Sequence, residues 1–118
     1  MLAVWWEGEV VSGLIEFLLA RIYEDEKRAR HAVAEAMTGW RWKQYPRDAY
    51  IELQSVVLRE SRRVLADVEA KRRIVEEFVR VDSDDASADF ARGFGLWFAL
   101  VALADVYRDH PDWREEWA

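Results

Sequence analysis

The sequence predicts an all-α protein, a compact bundle of three main helices with a short C-terminal helical turn. Three observations carry that expectation. Apolar residues recur at helical spacing through most of the chain. The only two prolines, Pro46 and Pro111, fall between the periodic segments, where proline is tolerated. The chain has 118 residues and 52% hydrophobic residues, enough for one domain with a core of its own, so residues 1–118 are read as a single helical domain.

The first helix is expected from a cap at Ser12 to about Met37, with Thr38-Gly39 as its stop. Leu14, Ile15, Leu18, Ile22, Ala29, Val33 and Ala36 fall on one stripe of it. On its polar side, Glu24 with Arg28 and Glu26 with Arg30 make acid-before-base pairs at i,i+4. Trp40-Arg41-Trp42 alternates like a strand but lacks a partner strand, so it is read as an ordered connector. Asp48 can cap a second helix from about Ala49 to Val81, whose stripe is Tyr50, Leu53, Val57, Val64, Val68, Val75 and Phe78, with a break allowed at Glu60-Ser61. Residues 82–89 form an acidic, turn-rich loop. The third helix then runs from about Ala88 to Arg108. It is apolar nearly all round between Phe94 and Ala104, so it sits at the centre of the core or is partly covered by another subunit. Pro111 suits the start of a last helical turn, Asp112 with Glu115 resembles a capping box, and Trp113 and Trp117 stack at i,i+4.

Composition excludes some chemistry. There is no cysteine, which rules out disulfides and thiolate metal sites. The start of the chain, with Glu7 and Glu9 and no basic residue, does not look like a signal peptide. The longest uncharged apolar run, Gly93–Ala104, is far short of the ~20 residues of a membrane span. A cytoplasmic location is expected, with no membrane association.

Together "LIEFLLARIYEDEKRAR" (14–30), "WRW" (40–42), "RVLADVEAKRRIVE" (63–76) and "LADVYRDHPDWREEW" (103–117) resemble a family of small actinobacterial and actinophage proteins, a domain of unknown function. The likeness touches most of the chain and implies an actinobacterial or phage origin, but no activity. Two departures stand out. Relatives often carry a Cys/His-rich knuckle before the last helix, where this chain reads Asp89-Phe90-Ala91-Arg92-Gly93-Phe94-Gly95-Leu96-Trp97. They also usually have a longer strand-like insert after WRW. The comparison implies an all-helical member in which aromatic packing replaces a metal.

No catalytic or metal site emerges. All-α nucleotide pyrophosphatases hold magnesium on paired i,i+3 carboxylates, but no Glu here has an acidic residue three positions later. Asp82 and Asp85 have that spacing only within the acidic loop, which fails the calcium-loop pattern at Ser87 and Gly93. His31 and Glu35 read as a surface pair. His110, before Pro111, is read as capping backbone groups or stacking on Trp113. A catalytic role would need a nucleophile or carboxylate beside it. No cofactor is expected.

Arg59, Arg62, Arg63, Arg73 and Arg80 fall within a sector of about 100° opposite the apolar stripe. Glu52, Glu69 and Glu77 share or border that sector, which makes it a solvated mixed-charge face. With a net charge of −6, nucleic-acid binding is not expected.

Two constellations remain. Asp25, Lys71 and Asp105 fall on or beside apolar stripes, so they are expected to form a buried polar cluster in which Lys71 bridges to one or both carboxylates and fixes helix register. Four of the seven tryptophans, Trp5, Trp6, Trp113 and Trp117, lie at the chain ends. They either dock on the chain's own helices or form a partner surface. The functional expectation is a non-enzymatic interaction or adaptor module, binding a protein partner or itself as a homo-oligomer. The alternative is a small all-α enzyme acting on a nucleotide or metabolite through Asp25, Lys71 and Asp105.

Overall fold

A computed structural model describes residues 9–38, 43–83 and 90–118. Three α-helices follow in order, α1 (Glu9–Thr38), α2 (Arg47–Ser83) and α3 (Phe90–Asp105), and a short 3-10 turn at Glu115–Trp117 closes the chain. The described residues contain no strand. The expected all-helical class holds. The connector Trp40–Trp42, the stop at Gly39, Trp5, Trp6 and most of the acidic loop lie outside the described residues.

Several expected boundaries move. α1 is already helical at Glu9, so Ser12 is an interior residue and not its cap. α2 is one uninterrupted helix of 37 residues, with no break at Glu60-Ser61. Ser61 is instead buried in its middle. α3 ends at Asp105 and not at Arg108. Beyond it the chain tightens into successive i→i+3 turns, with the amides of Tyr107, Arg108 and His110 bonded to the carbonyls of Ala104, Asp105 and Tyr107. Pro111 lacks an amide, so a helical ladder could not continue past it. The last turn starts after Arg114, whose extended backbone is the cap and whose side chain makes no capping bond, so Asp112 is not the cap.

The chain divides into two compact units, one joining Met1–Ile22 to Ala70–Ala118 and the other comprising Tyr23–Glu69. The first holds the large side chains of the core. Leu14, Phe17, Leu18 and Ile22 from α1, Val75 and Phe78 from α2, and Trp97, Leu100 and Ala104 from α3 are all buried, as is Trp117. Burying each large side chain stabilises the fold by roughly 1.5–3 kcal/mol. α2 and α3 run antiparallel here. Going up α3, Gly93 faces Val81, Trp97 packs 6.0 Å from Phe78, and Tyr107 beyond the helix end reaches Lys71. α3 is not enclosed on all sides: Phe98 is 53% exposed, although Trp97 beside it is buried. Arg80 and Arg92 both meet the Glu77 carboxylate on the surface of this unit.

In the second unit, the C-terminal half of α1 packs against the N-terminal part of α2, and small residues dominate the contact. Its buried residues are Ala29, Ala36, Ser61 and Val68. The side chain of Gln54 donates to the carbonyl of Ala36 at 2.8 Å, and Asp25 and Ala29 share a groove with Ser61 and Asp67. This pairing is therefore antiparallel. Local ion pairs decorate α1, with Arg30 at 3.6 Å from Glu26 as expected and Arg28 at 3.9 Å from Asp25.

Candidate functional site

Of the three residues expected in a buried polar cluster, Asp105 is not buried. Lys71 is half-buried and donates to the Tyr107 hydroxyl at 3.1 Å, with its ammonium 5.2 Å from the centre of the same ring. Asp105 is exposed and meets Arg108 at 3.4 Å across one helical turn, so it is not a buried charge. The reason is local: α3 ends at Asp105, and the residue faces solvent at the point where the chain turns. Asp25, on α1, pairs with Arg28.

The terminal tryptophans divide as well. Trp117 is only 3% exposed and packs with its ring centre 4.9 Å from that of Phe17, so it is a core residue and not part of an open partner surface. Trp113 is half-buried under the guanidinium of Arg108, 5.0 Å away. His31 and Glu35 form an exposed pair at 3.2 Å. The arginines of the second helix, Arg59, Arg62, Arg63, Arg73 and Arg80, are all exposed. Arg80 forms a two-pronged pair with Glu77, its Nη2 2.6 Å from one carboxylate oxygen and its Nε 3.1 Å from the other. That bond, with the charges of Arg80 and Arg92, lowers the Glu77 pKa below the ordinary carboxylate value. Among the described residues no three His, Asp or Glu side chains come together as a metal site would need.

Two concave features remain, one in each unit. In Tyr23–Glu69 a groove of about 360 Å³ runs between α1 and α2. Its floor is Ala29, Ala32, Ser61 and Val64, and its rim is Asp25, Glu60 and Asp67 with Arg28. The small floor residues that let the helices approach also leave the apolar flank of α2 uncovered. Leu53 and Val64, expected in the core stripe, are each 37% exposed, and Val56 is 42% exposed. The groove is thus apolar along its base and mostly acidic at its edge.

The second feature lies in the other unit, where the first turns of α1 meet the C-terminal segment. Arg21, one turn beyond Phe17, is 7% exposed. Its guanidinium meets the His110 ring, lies 3.8 Å from the Asp112 carboxylate and sits 5.3 Å from the centre of the Phe17 ring. The amide of Asp112 donates to His110 Nδ1 at 3.0 Å, so His110 does cap backbone here. Around them is a cavity of about 450 Å³ whose walls include Phe17, Trp113 and Trp117, with Arg114 at its mouth. Sequence reasoning passed over Arg21. A signal was present: it stands seven residues after Leu14 and three after Leu18, on the same helical face.

The chain matches the family of unknown function DUF6221 over residues 11–118 and belongs to it. No curated protein and no solved structure matches it.

Proposed function

We propose that this DUF6221 protein is a non-enzymatic interaction module that docks a cationic amphipathic helix of a partner protein into the groove of Tyr23–Glu69. The observation that supports the reading is the pairing of an uncovered apolar flank, Leu53, Val56 and Val64, with a carboxylate rim at Asp25, Glu60 and Asp67. An apolar helix stripe fits the alanine floor, and lysine or arginine residues beside that stripe complement the rim. The overall charge of −6 steers the same class of partner.

The module works in the cytoplasm of an actinobacterium or of one infected by its phage. Supporting that placement are the absence of cysteine and the likeness of residues 14–30, 63–76 and 103–117 to proteins of that origin. On this reading the packing of Trp97 against Phe78 does the work that the likeness to that family assigns to a Cys/His knuckle.

The test is a titration of the isotope-labelled protein with a synthetic helix carrying a leucine stripe flanked by lysines, beside the same helix with glutamates instead. The lysine helix is expected to shift the resonances of Ala29, Ala32 and Val64, to bind more weakly as salt rises, and to lose affinity with Val64→Asp. Equal binding of both helices overturns the reading. So does sedimentation of the protein alone as a dimer that Val64→Asp dissociates, because the occupant is then a second copy.

A further inference from the structure

We infer that the flank of α2 carrying Arg59 and Arg62 is a docking surface for an acidic amphipathic helix of a partner protein. The inference does not rest on the occupant proposed for the acidic groove, which lies on the other flank of the same helix.

The first observation concerns how this chain uses arginine. Arg28, Arg30, Arg80, Arg108 and Arg114 each meet a carboxylate no more than four residues away. Arg59, Arg62 and Arg63 are exposed and meet no carboxylate among the described residues. They are the exception in a chain whose net charge is −6. Helix geometry is the cause. At about 100° per residue, Glu60 and Asp67 project roughly 140–160° round α2 from Arg62, onto the rim of the groove. Glu52 and Glu69, which border the arginines in sequence, stand two turns from Arg59 and Arg62 respectively and pair with neither. Two turns are about 10 Å along the axis.

The second observation is what lies beside the charge. Ser55, Leu58, Arg59 and Arg62 line one open strip of surface. Ile51, seven residues before Leu58 and on the same side, is 48% exposed. The strip is thus a pair of aliphatic side chains two turns apart, with guanidiniums along one edge.

That combination names the occupant. Carboxylates satisfy guanidinium N–H groups two at a time. Apolar residues two turns apart on a partner helix match Ile51 and Leu58. Nucleic acid is the poorer match. Neither apolar residue is an aromatic on which a base could stack, and a phosphate backbone gains nothing from aliphatic surface. At physiological ionic strength charges more than ~8 Å away are largely screened, so the overall negative charge does not keep a short acidic helix from these arginines. Leu58 and Val64 point about 120° apart around α2, so the strip and the acidic groove can be occupied together.

The experiment titrates the whole isotope-labelled chain at physiological salt with three probes. They are a synthetic helix with a leucine stripe flanked by glutamates, the same helix with alanines for leucines, and a short DNA duplex. A ridge covers less of a helix than a groove does, so the glutamate–leucine helix is expected to bind with a Kd of about 0.1–1 mM. It is expected to shift the resonances of Ile51 and Leu58 and the guanidinium signals of Arg59 and Arg62. Arg59→Gln with Arg62→Gln is expected to weaken it at least about tenfold with the far-ultraviolet spectrum unchanged, since both sites are exposed and glutamine is a good helix former. Ile51→Gln is expected to weaken it severalfold. The inference is overturned if the alanine helix binds as tightly, if the duplex binds more tightly, if the double arginine variant binds as before, or if the glutamate–leucine helix does not bind at millimolar concentration. Sedimentation of the protein alone as an oligomer that the double variant dissociates also overturns it, because the occupant is then a second copy.

Discussion

Phe17 near the start of the chain and Trp117 near its end hold their ring centres 4.9 Å apart at an interplanar angle of 47°. This contact ties the C-terminal segment to α1. Phe17 also meets Tyr107 edge-on at 6.2 Å and the His110 ring at 5.7 Å, so one phenyl ring organises three separate aromatic residues of the segment. Trp117→Ala is expected to destabilise the protein by about 3–5 kcal/mol, the usual cost of emptying a large buried aromatic site. Trp113→Ala, at a half-buried position, is expected to cost clearly less. Chemical denaturation of the two variants side by side checks the order.

The helix pair of Tyr23–Glu69 depends on small side chains. Ser61 is 6% exposed among Ala29 and Ala32 at the groove floor. Ser61→Leu is expected to cost roughly 1–3 kcal/mol by forcing the helices apart, whereas Ser61→Ala is expected to change stability little. Thermal unfolding distinguishes the two.

Gln54 ties the same helices together through its 2.8 Å bond to the Ala36 carbonyl. Gln54→Ala is expected to cost about 1 kcal/mol, the net value of a typical hydrogen bond. Hydrogen exchange at the C-terminal end of α1 should report faster local opening in this variant.

Glu77 gives a pH dependence with a defined sign. Its folded-state pKa is lowered, first by the hydrogen bond from Arg80 and then by the charges of Arg80 and Arg92. Its contribution to stability is therefore fully present above the unfolded carboxylate pKa of about 4.3 and is lost as pH falls through the lower folded value. Glu77→Gln is expected to flatten the stability profile below that point and to change it little in shape near neutral pH. Denaturation midpoints measured between about pH 2 and pH 6 check this.

Gly95 occupies the interior of α3, and a β-carbon there would meet nothing within 4 Å. Gly95→Ala is expected to stabilise the protein by about 0.5–1 kcal/mol through helix propensity alone. A lower melting temperature would contradict the open space around this residue.

What the sequence by itself determined is everything that depends on near neighbours in the chain. Helical class, the three helices and the local pairs Glu26 with Arg30 and His31 with Glu35 follow from interactions within one or two turns. Such interactions repeat with the 3.6-residue period and need no knowledge of the rest of the molecule. The tertiary structure alone decided which part of each apolar face is covered. Leu53 and Val64 lie on the expected stripe of α2 yet remain partly exposed, and the α1 residues that share the groove with Val64 include the small Ala29 and Ala32. Arg21, a charged residue by type, is buried because the C-terminal segment folds back over α1 and supplies His110, Asp112 and Trp117. A helical period marks which side of a helix is apolar, but it carries no record of the size or distance of what packs there. The floor of the groove and the walls of the Arg21 cavity come from segments far apart in sequence, and only folding brings them together.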